Sequence, residues 1–347
     1  TGMEQTVQEL TPRDTYTAAM IEYESLQKLG EAIYDQNMDT VVMILDSMGR
    51  RLHEKTGMEQ VDALMNLVYD VNGSLAKPNV NLMACQDGLV DIAYLHSFFF
   101  TDRLKALEAL YVPGLNITDP RAASLAVWDL IARTPAFHDE AKGVKILGVH
   151  VSPMVIGSVD KPVASVEDFE GLRLRTNGKS TALLAKRMGA TVMTVPGPDI
   201  FMNLQKKIVE AAVAAWEGHR GFGLTNVCGF FTEGDFLPPI YFYLVINENK
   251  WNSLPPDLQK VLEDASGARF AALGGGTEAD IAREMRKSVR EGGKAVLSFT
   301  GPEREKIDKV CAEVREEELS RIEKEGVPDA RRYVADFLEL MKHYEAQ

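Results

Sequence analysis

The chain has 347 residues, of which 45% are hydrophobic and 26% charged, a balance that indicates a folded protein and excludes a largely disordered one. A chain of this length is expected to form two domains. Its formal net charge of −13 repels phosphate backbones and argues against a nucleic-acid partner. The charge does not exclude a small anionic ligand, because a buried arginine can make the local electrostatic field positive.

The N-terminal sixty residues have the pattern of helices. Apolar residues recur at helical spacing in two stripes, Tyr23, Leu26, Leu29 and Ile33, then Val41, Ile44, Leu45, Met48 and Leu52. The start lacks a basic segment followed by an apolar one, as expected of a processed secreted protein or of a cytosolic one. The sequence has no run of about 18 apolar residues, so it predicts no membrane-spanning helix.

From residue 64 onward, predicted strands alternate with predicted helices. The strand predictions are Leu64–Tyr69, Leu89–Leu95, Val144–Val151, Leu172–Thr176, Thr191–Val195, Ile208–Ala215 and Ile240–Asn247. The helix predictions among them are Ala122–Ala132, Ser180–Met188 and one opened by Pro198 and Asp199. Ser165 and Asp168 have the spacing of a capping box. The alternation predicts an α/β architecture with mixed, mainly parallel sheets.

The C-terminal third is predicted to be helical. Its helices are Pro256–Ala272, Glu278–Gly292, Pro302–Glu325 and Asp329–Glu345. Between the first two stands the triplet Gly274-Gly275-Gly276. Each glycine disfavours helix by about 1 kcal/mol relative to alanine, so the triplet predicts a bend or a cap.

Motifs for catalysis and cofactor binding are not found in the sequence. None of the six histidines pairs with another at metal-ligand spacing, and Gly178-Lys179-Ser180 lacks the upstream glycine of a phosphate-binding loop. Three isolated cysteines, Cys85, Cys228 and Cys311, are expected to be buried and inert. The sequence therefore predicts no catalytic residue, no cofactor and no metal site, and favours a binding protein over an enzyme.

Several passages resemble the solute-binding proteins of TRAP transporters, which capture organic acids for uptake. The family's "kPv.s.eDlkGlkiR" passage corresponds to residues 161–175, and its "aLGa.pv.mp..evy.aLq" passage to residues 187–205. Shorter matches occur at residues 73–76, 86–93 and 251–257. The order and spacing of these passages cover residues 64–340, whereas the first sixty residues do not match well.

The resemblance implies a two-lobed clamp of the periplasmic-binding-protein type, with hinge strands, a long bracing helix and a helical C-terminus. It implies a first lobe of residues 1–148 plus about 237–275. It implies a second lobe of residues 149–236 plus about 276–347. Such lobes close around a ligand, to which each contributes contacts.

Arg175 is the residue that the resemblance identifies as the anchor of a ligand carboxylate. A guanidinium matches a carboxylate bidentately, stays charged and sheds water more readily than an ammonium group. Arg175 also ends a predicted strand, where ligands of open α/β sheets gather. Alternation places Arg173 on the same face.

In the first lobe, the resemblance makes Tyr94 and His96 polar contacts of the ligand. In the second lobe, Trp216 is expected to stack on an apolar part of the ligand, although packing beneath the cleft is the competing interpretation. Met154 lies where some family members have a further arginine, which favours a simple monocarboxylate over a ligand with a second anionic group.

Backbone contacts are expected from two loops of the second lobe. Pro196 and Gly197 would form part of its wall, after Val195. Gly178 would let a ligand approach the backbone closely, because glycine carries no side chain.

The leading hypothesis is the periplasmic substrate-binding component of a TRAP-type transporter, with an organic acid and membrane permease subunits as partners. One alternative is a lyase or transferase acting on a small carboxylate, with His96 or Glu217 as general base. Another is a ligand-sensing module with the same fold.

Overall fold

The computed structural model describes residues 69–70 and 77–347, so the helices predicted before residue 64 lie outside the described residues. The described part contains two sheets. Their strands, in chain order, are β1 (Tyr69–Asp70), β2 (Ile92–His96), β3 (Val144–Ser152), β4 (Met154–Ser158), β5 (Arg173–Arg175), β6 (Thr191–Met193), β7 (Ala211–Ala215), β8 (Phe230–Gly234), β9 (Ile240–Asn247) and β10 (Ala295–Leu297).

The first sheet has the strand order β1-β2-β9-β3. β1 and β2 are parallel, and β9 lies antiparallel between β2 and β3. β9 is buried along nearly its whole length because it reads as one apolar and aromatic run and forms the centre of the sheet. β9 returns the chain to the first sheet late in the sequence, and its bounds are those predicted, Ile240–Asn247.

The second sheet has the strand order β10-β8-β4-β7-β5-β6. β5 is parallel to β6 and β7, and β8 is parallel to β10, whereas β4 is antiparallel to both of its neighbours. Only Pro153 separates β3 from β4, and residues 235–239 join β8 to β9. The two sheets are thus linked at two short crossings, and the mixed α/β architecture is confirmed.

Twelve helices accompany the strands in the described part. They are α1 (Asn81–Gln86), α2 (Lys105–Glu108), α3 (Pro120–Arg133), α4 (Pro135–Glu140), α5 (Lys179–Arg187), α6 (Ile200–Gln205), α7 (Trp216–Gly221), α8 (Glu248–Ser253), α9 (Pro256–Ala265), α10 (Gly267–Glu291), α11 (Gly301–Lys324) and α12 (Ala330–Glu345). Local chemistry explains several boundaries. Asp119 caps α3 by accepting hydrogen bonds from the backbone N–H groups of Arg121 and Ala122, and Pro120 occupies the first helical turn.

The capping box predicted at Ser165 and Asp168 is present. The Asp168 carboxylate accepts from the backbone N–H of Ser165 at 2.8 Å, and the Ser165 hydroxyl accepts from the backbone N–H of Asp168 at 3.3 Å. A 3-10 turn over Glu167–Phe169 follows at once and leads into β5. This turn therefore sets the start of the strand that carries Arg175.

Each sheet supports its own hydrophobic core. The core of the first sheet takes its helical side chains mainly from α3 and α12, and that of the second sheet from α5 and α11. Phe337 and Met341 of α12 lie in the first core, although the predicted lobe boundaries assigned residues 276–347 to the second lobe. These boundaries otherwise stay a prediction.

The Gly274–Gly276 triplet lies within α10, which runs unbroken from Gly267 to Glu291. The predicted bend or cap at this triplet is therefore wrong. The helix is broken earlier, at Ser266 and Gly267, where the glycine has a φ of +63°. Tertiary packing explains the difference: a Cβ at Gly275 would lie 2.4 Å from the carbonyl oxygen of Pro120 in α3. Glycines thus allow the two helices to approach closely.

The remaining sequence predictions concern thiols, metals and membranes. Cys85, Cys228 and Cys311 are all buried and free, as expected. Within residues 69–70 and 77–347, no group of three or more histidine, cysteine and acidic side chains is placed to hold a metal ion. Over the same residues, every helix is too short or too polar to traverse a bilayer.

Candidate ligand-binding site

Arg175 ends β5 beside two backbone carbonyl groups. In the sheet register it lies opposite Met193 on β6 and Ala212 on β7. Its Nε donates to the carbonyl oxygen of Val195 at 3.1 Å, and its Nη1 donates to that of Val213 at 2.7 Å. These bonds hold the guanidinium plane in place while part of its five-donor fork stays without a partner in the described chain.

The positive charge of Arg175 has no carboxylate partner within ion-pair distance among the described residues. Burial lowers the pKa of Arg175 to about 10, an effect that the neighbouring Tyr111 opposes. The side chain nevertheless keeps accessible surface. The guanidinium is thus mostly buried but not sealed off from solvent. Arg175 is therefore a held, uncompensated cation that an anion can reach.

Arg173, two residues earlier on the same strand, has a different environment. Its guanidinium donates to the carbonyl oxygens of Ile208 and Lys207, both at 3.0 Å, and lies 3.4 Å from a carboxylate oxygen of Glu210. The residue is exposed. Two arginines on one strand face thus differ in burial and in charge compensation, and only Arg175 has the character of an anion anchor.

The segment after β5 is held by Tyr111. The Tyr111 hydroxyl donates to the carbonyl oxygen of Asn177 at 2.5 Å and lies 2.8 Å from the Thr181 hydroxyl oxygen. A Cβ at Gly178 would lie 2.7 Å from the Tyr111 hydroxyl and 2.9 Å from Cβ of Phe98. These two side chains occupy the position that a Cβ at Gly178 would take, and contact of Gly178 with a ligand stays a prediction.

Pro196 and Gly197 follow Val195, whose carbonyl oxygen accepts a hydrogen bond from Arg175. Val195 is buried, Pro196 is exposed and Gly197 is half-buried, with a would-be Cβ 2.8 Å from the Phe222 ring. The loop acts on the site through the Val195 carbonyl. Contact of Pro196 or Gly197 with a ligand stays a prediction.

Tyr94 and His96 lie on one face of β2, and they belong to an aromatic cluster of Tyr94, His96, Phe98 and Phe242. The ring of Phe242 on β9 lies 5.3 Å from that of Tyr94 and 5.0 Å from that of His96. The rings of His96 and Phe98 are 5.8 Å apart. Tyr94 and His96 both keep some accessible surface, although burial raises the pKa of Tyr94 and lowers that of His96. Burial lowers the pKa of His96 to about 4, so it is neutral at neutral pH.

A polar chain of Tyr94, His150, Glu278 and Ser152 runs behind this cluster. The Tyr94 hydroxyl lies 2.5 Å from Nε2 of His150, and Nδ1 of His150 lies 3.7 Å from Oε1 of Glu278. The Ser152 hydroxyl donates to the other Glu278 oxygen at 2.8 Å. Burial, with a smaller effect from His96, lowers the pKa of His150 to about 3. Burial, followed by the proximity of Glu217, raises the pKa of Glu278.

Glu217 lies in the first turn of α7, directly after β7. Burial raises the pKa of Glu217, and its charge also contributes to the raised pKa of Tyr94. Its side chain keeps accessible surface. Glu217 and Glu278 are thus two carboxyl groups close enough to interact, deep in the protein, next to the aromatic cluster.

Met154 and Trp216 are packed in the interior. Met154 belongs to the second core, against which Tyr94 and Phe98 pack. The Trp216 ring lies 5.3 Å from that of Phe231 and is 4% exposed, yet its Nε1–H is buried without a partner. Packing accounts for most of the indole surface, and stacking of Trp216 on a ligand stays a prediction.

The chain is similar to known solute-binding proteins. Residues 44–321 match the family model described as bacterial extracellular solute-binding protein, family 7. The monocarboxylate 2-oxoacid-binding periplasmic protein of Nostoc sp. is 25% identical over 230 residues, which cover 63% of this chain and 62% of that protein. The ectoine-binding periplasmic protein of Halomonas elongata is 22% identical over 210 residues, covering 57% and 59%. The chain thus spans about three-fifths of the length of these relatives.

Solved structures share the fold. A TRAP solute-binding protein from a marine metagenome, in complex with 3-hydroxybenzoate, superposes with a TM-score of 0.72 at 22% identity, covering 78% of this chain and 84% of that chain. A TRAP solute-binding protein of Rhodoferax ferrireducens, in complex with benzoate, gives 0.72 at 22% identity, covering 79% and 85%. One from Bordetella bronchiseptica, with bound mandelate, gives 0.70 at 24% identity, covering 78% and 85%.

Proposed function

Since the chain belongs to the bacterial extracellular solute-binding proteins of family 7, we propose that it captures a small organic monocarboxylate in the periplasm and delivers it to the membrane permease subunits of a TRAP transporter. In this proposal the protein leaves the acid chemically unchanged. Arg175 binds the ligand carboxylate, and the aromatic cluster contacts the rest of the ligand.

The observation that carries the proposal is the state of Arg175. A buried cation without a counter-ion is unfavourable, and a bidentate carboxylate removes that penalty while using the unpartnered part of the fork. The carbonyls of Val195 and Val213 hold the guanidinium before the ligand arrives, so less side-chain entropy is lost on binding.

Relatives support an acidic ligand. Proteins of this fold have been solved with benzoate, 3-hydroxybenzoate, mandelate and pyroglutamic acid, each of which carries one carboxyl group. Met154, rather than a second cation, lies on β4 in the second core, against which Tyr94 packs. A ligand with one anionic group fits these surroundings best, because a second buried charge would need a partner of its own.

Domain closure is the proposed mechanism. The chain crosses between the sheets at Pro153 and at residues 235–239, and two short crossings of this kind act as a hinge. Arg175 extends from the second sheet and the aromatic cluster from the first. A ligand that contacts both stabilises the closed state by its differential affinity for that state.

Isothermal titration calorimetry tests the assignment. The ligands are benzoate, 3-hydroxybenzoate, (R)-mandelate and pyroglutamate, and the variants are Arg175→Ala and Arg175→Lys. Removing a buried charged partner weakens binding at least about 30-fold. The lysine variant keeps the charge but loses the planar fork, so we expect a smaller but clear loss.

Arg173→Ala is the matched control, because it removes an arginine from the same strand face whose charge Glu210 already compensates. It should retain the affinity of the unmodified protein. Full affinity in Arg175→Ala, with an unchanged unfolding midpoint, would show that the anchor lies elsewhere.

A further inference from the structure

Glu217 is a carboxylate that the described protein leaves without a partner. No hydrogen bond or ion pair joins its side chain to any described residue, whereas burial raises its pKa. The side chain also keeps accessible surface. A buried hydrogen-bond acceptor is unfavourable unless a donor group bonds to it. The side chain of Glu217 therefore lacks a hydrogen-bond donor on its accessible side.

Three side chains of this region already have partners, and the Nε1–H of the adjacent Trp216 forms no hydrogen bond with Glu217. Ser152 donates to Glu278, and the Tyr94 hydroxyl bonds to Nε2 of His150. Nε2 of His219, one helical residue beyond Gly218, lies 3.1 Å from the carbonyl oxygen of Val155. The donor must therefore come from outside this group of side chains.

Glu217 and Arg175 lie at the same end of two paired strands. β5 and β7 are parallel, and Arg175 donates to the carbonyl of Val213, two residues before β7 ends at Ala215. At about 3.3 Å per strand residue, β7 ends roughly 7 Å beyond Val213, and Glu217 lies in the first turn of the helix α7 that follows. Arg175 also contributes to the lowered pKa of His219, two residues from Glu217, which agrees with this proximity. Both groups therefore lie toward the same edge of the second sheet.

The aromatic cluster adjoins the surroundings of both polar groups, since Cβ of Phe98 lies close to Gly178 and the charge of Glu217 contributes to the raised pKa of Tyr94. Tyr94, His96 and Phe98 retain surface next to the rings of the cluster, and neutral His96 adds no charge. Flat rings of this kind pack favourably against an aromatic ligand ring. The region thus contains a cation, aromatic faces and an acceptor without a hydrogen-bond partner among the described side chains.

We infer that the ligand is an aromatic carboxylic acid with a hydroxyl group, whose carboxylate binds Arg175 and whose hydroxyl donates a hydrogen bond to Glu217, with Glu278 behind it as the second carboxyl of the subsite. This inference rests on the proposed function. A dicarboxylate is excluded because its second anionic end would face two carboxyl groups. A methyl ether is excluded because it cannot donate.

The test compares benzoate, 3-hydroxybenzoate and 3-methoxybenzoate by calorimetry. A hydrogen bond to a buried carboxyl group corresponds to roughly a 10-fold preference for 3-hydroxybenzoate over the other two acids. In Glu217→Ala this preference should fall below about 3-fold, with the affinity for benzoate retained. Glu217→Met, which fills the space with an apolar chain, repeats the measurement if the alanine variant does not fold.

Glu210→Ala is the matched control, since Glu210 directly precedes β7 at its other end and contacts Arg173 rather than Arg175. It should keep the full preference for the hydroxyl. Equal binding of the hydroxy and methoxy acids, a preference that survives in Glu217→Ala, or tighter binding of 3-(aminomethyl)benzoate than of the hydroxy acid would overturn the inference.

Failure of this inference can be told apart from failure of the proposed function. If none of the aromatic acids binds while pyroglutamate binds and requires Arg175, the hydroxyl subsite is wrong and the carboxylate anchor stands. If every acid binds Arg175→Ala as tightly as the unmodified protein, the hydroxyl subsite and the carboxylate anchor are both wrong.

Discussion

Oε1 of Glu278 lies 3.7 Å from Nδ1 of His150, and burial shifts both groups toward their uncharged forms. Burial raises the pKa of the carboxyl group and lowers that of the imidazole. The pair is therefore a neutral one at neutral pH, and not an ion pair. It connects the long helix α10 to strand β3 of the first sheet, so the protonation of Glu278 is linked to stability.

Glu278→Gln is expected to remove a loss of stability at alkaline pH. A carboxyl group whose pKa is higher in the folded than in the unfolded state stabilises below its unfolded pKa, and that contribution disappears as pH rises through the folded pKa. Glutamine mimics the protonated acid at every pH. Between about pH 5 and pH 8.5, the free energy of unfolding of the unmodified protein should fall by roughly 1–3 kcal/mol relative to the variant.

Urea unfolding at several pH values measures this difference. Glu305→Gln is the control, because Glu305 is an exposed glutamate of α11 and its replacement should leave the pH profile unchanged. The lowered pKa values of His96 and His150 make stability fall as pH drops below about 6.5. This loss occurs in the unmodified protein and in Glu278→Gln alike, so it cancels in the comparison. Parallel profiles for Glu278→Gln and the unmodified protein would refute a protonated Glu278.

Tyr94→Phe is expected to destabilise the protein, whereas Tyr243→Phe is not. The Tyr94 hydroxyl is the partner of His150 Nε2, and removing it leaves a buried ring nitrogen unpaired, which costs roughly 1–3 kcal/mol. The Tyr243 hydroxyl, on β9 of the same sheet, is buried without a partner. Its removal should be neutral or stabilising. Equal unfolding midpoints for the two variants would show that the Tyr94–His150 bond has no net effect on stability.

Arg175, Tyr94 and His96 were predicted as site residues through the family resemblance, and their contact with a ligand stays a prediction. For Arg175 the end of a short strand was an additional, local signal. The polar chain behind them could not be predicted, since Ser152 and Glu278 are 126 residues apart and meet only through packing. His150 and Ser152 lie on the same face of β3, but this alternation does not predict that both side chains meet Glu278. Glu217 was noted only as a general base for the enzyme alternative.

Gly178→Ala is expected to be more harmful than Gly171→Ala, although both glycines have a φ of +70°. At Gly171 a Cβ meets nothing within 4 Å, so only backbone strain of about 1 kcal/mol applies. At Gly178 the ψ of 172° puts the residue in a region almost restricted to glycine, and a Cβ would collide with Tyr111 and Phe98. The loss there should be at least about 3 kcal/mol.

Calorimetric titration of Gly178→Ala and Gly171→Ala with an acid that binds the unmodified protein extends the comparison from stability to ligand binding. Gly178 lies three residues after Arg175 in the segment that Tyr111 holds, so a displaced backbone there should also weaken ligand binding. Gly171→Ala should bind normally. Similar unfolding midpoints and affinities for the two variants would mean that the contact of Gly178 with Tyr111 is not a constraint on the fold.

The predicted elements mostly matched because strand and helix periodicity is read from neighbouring residues, as at β3 and β9, whose observed bounds lie within one residue of the predicted ones. The triplet Gly274–Gly276 shows where that reasoning fails. Intrinsic propensity disfavours helix at each of these glycines, but the helix forms because small residues let it pack against α3 and β3. Partners more than a hundred residues away decide the outcome.

Gly275→Ala and Gly276→Ala should therefore have opposite effects on stability. A Cβ at Gly276 meets nothing within 4 Å, so alanine there adds helix propensity and should stabilise by about 0.5–1 kcal/mol. A Cβ at Gly275 would lie 2.4 Å from the Pro120 carbonyl oxygen and 2.6 Å from the Ser124 hydroxyl, and backbone cannot yield as a flexible side chain does. Separating the helices should destabilise by about 2–3 kcal/mol. Urea-unfolding midpoints measure both changes, and a shift of the same sign for both would mean that propensity, rather than the packing of α10 on α3, governs this stretch.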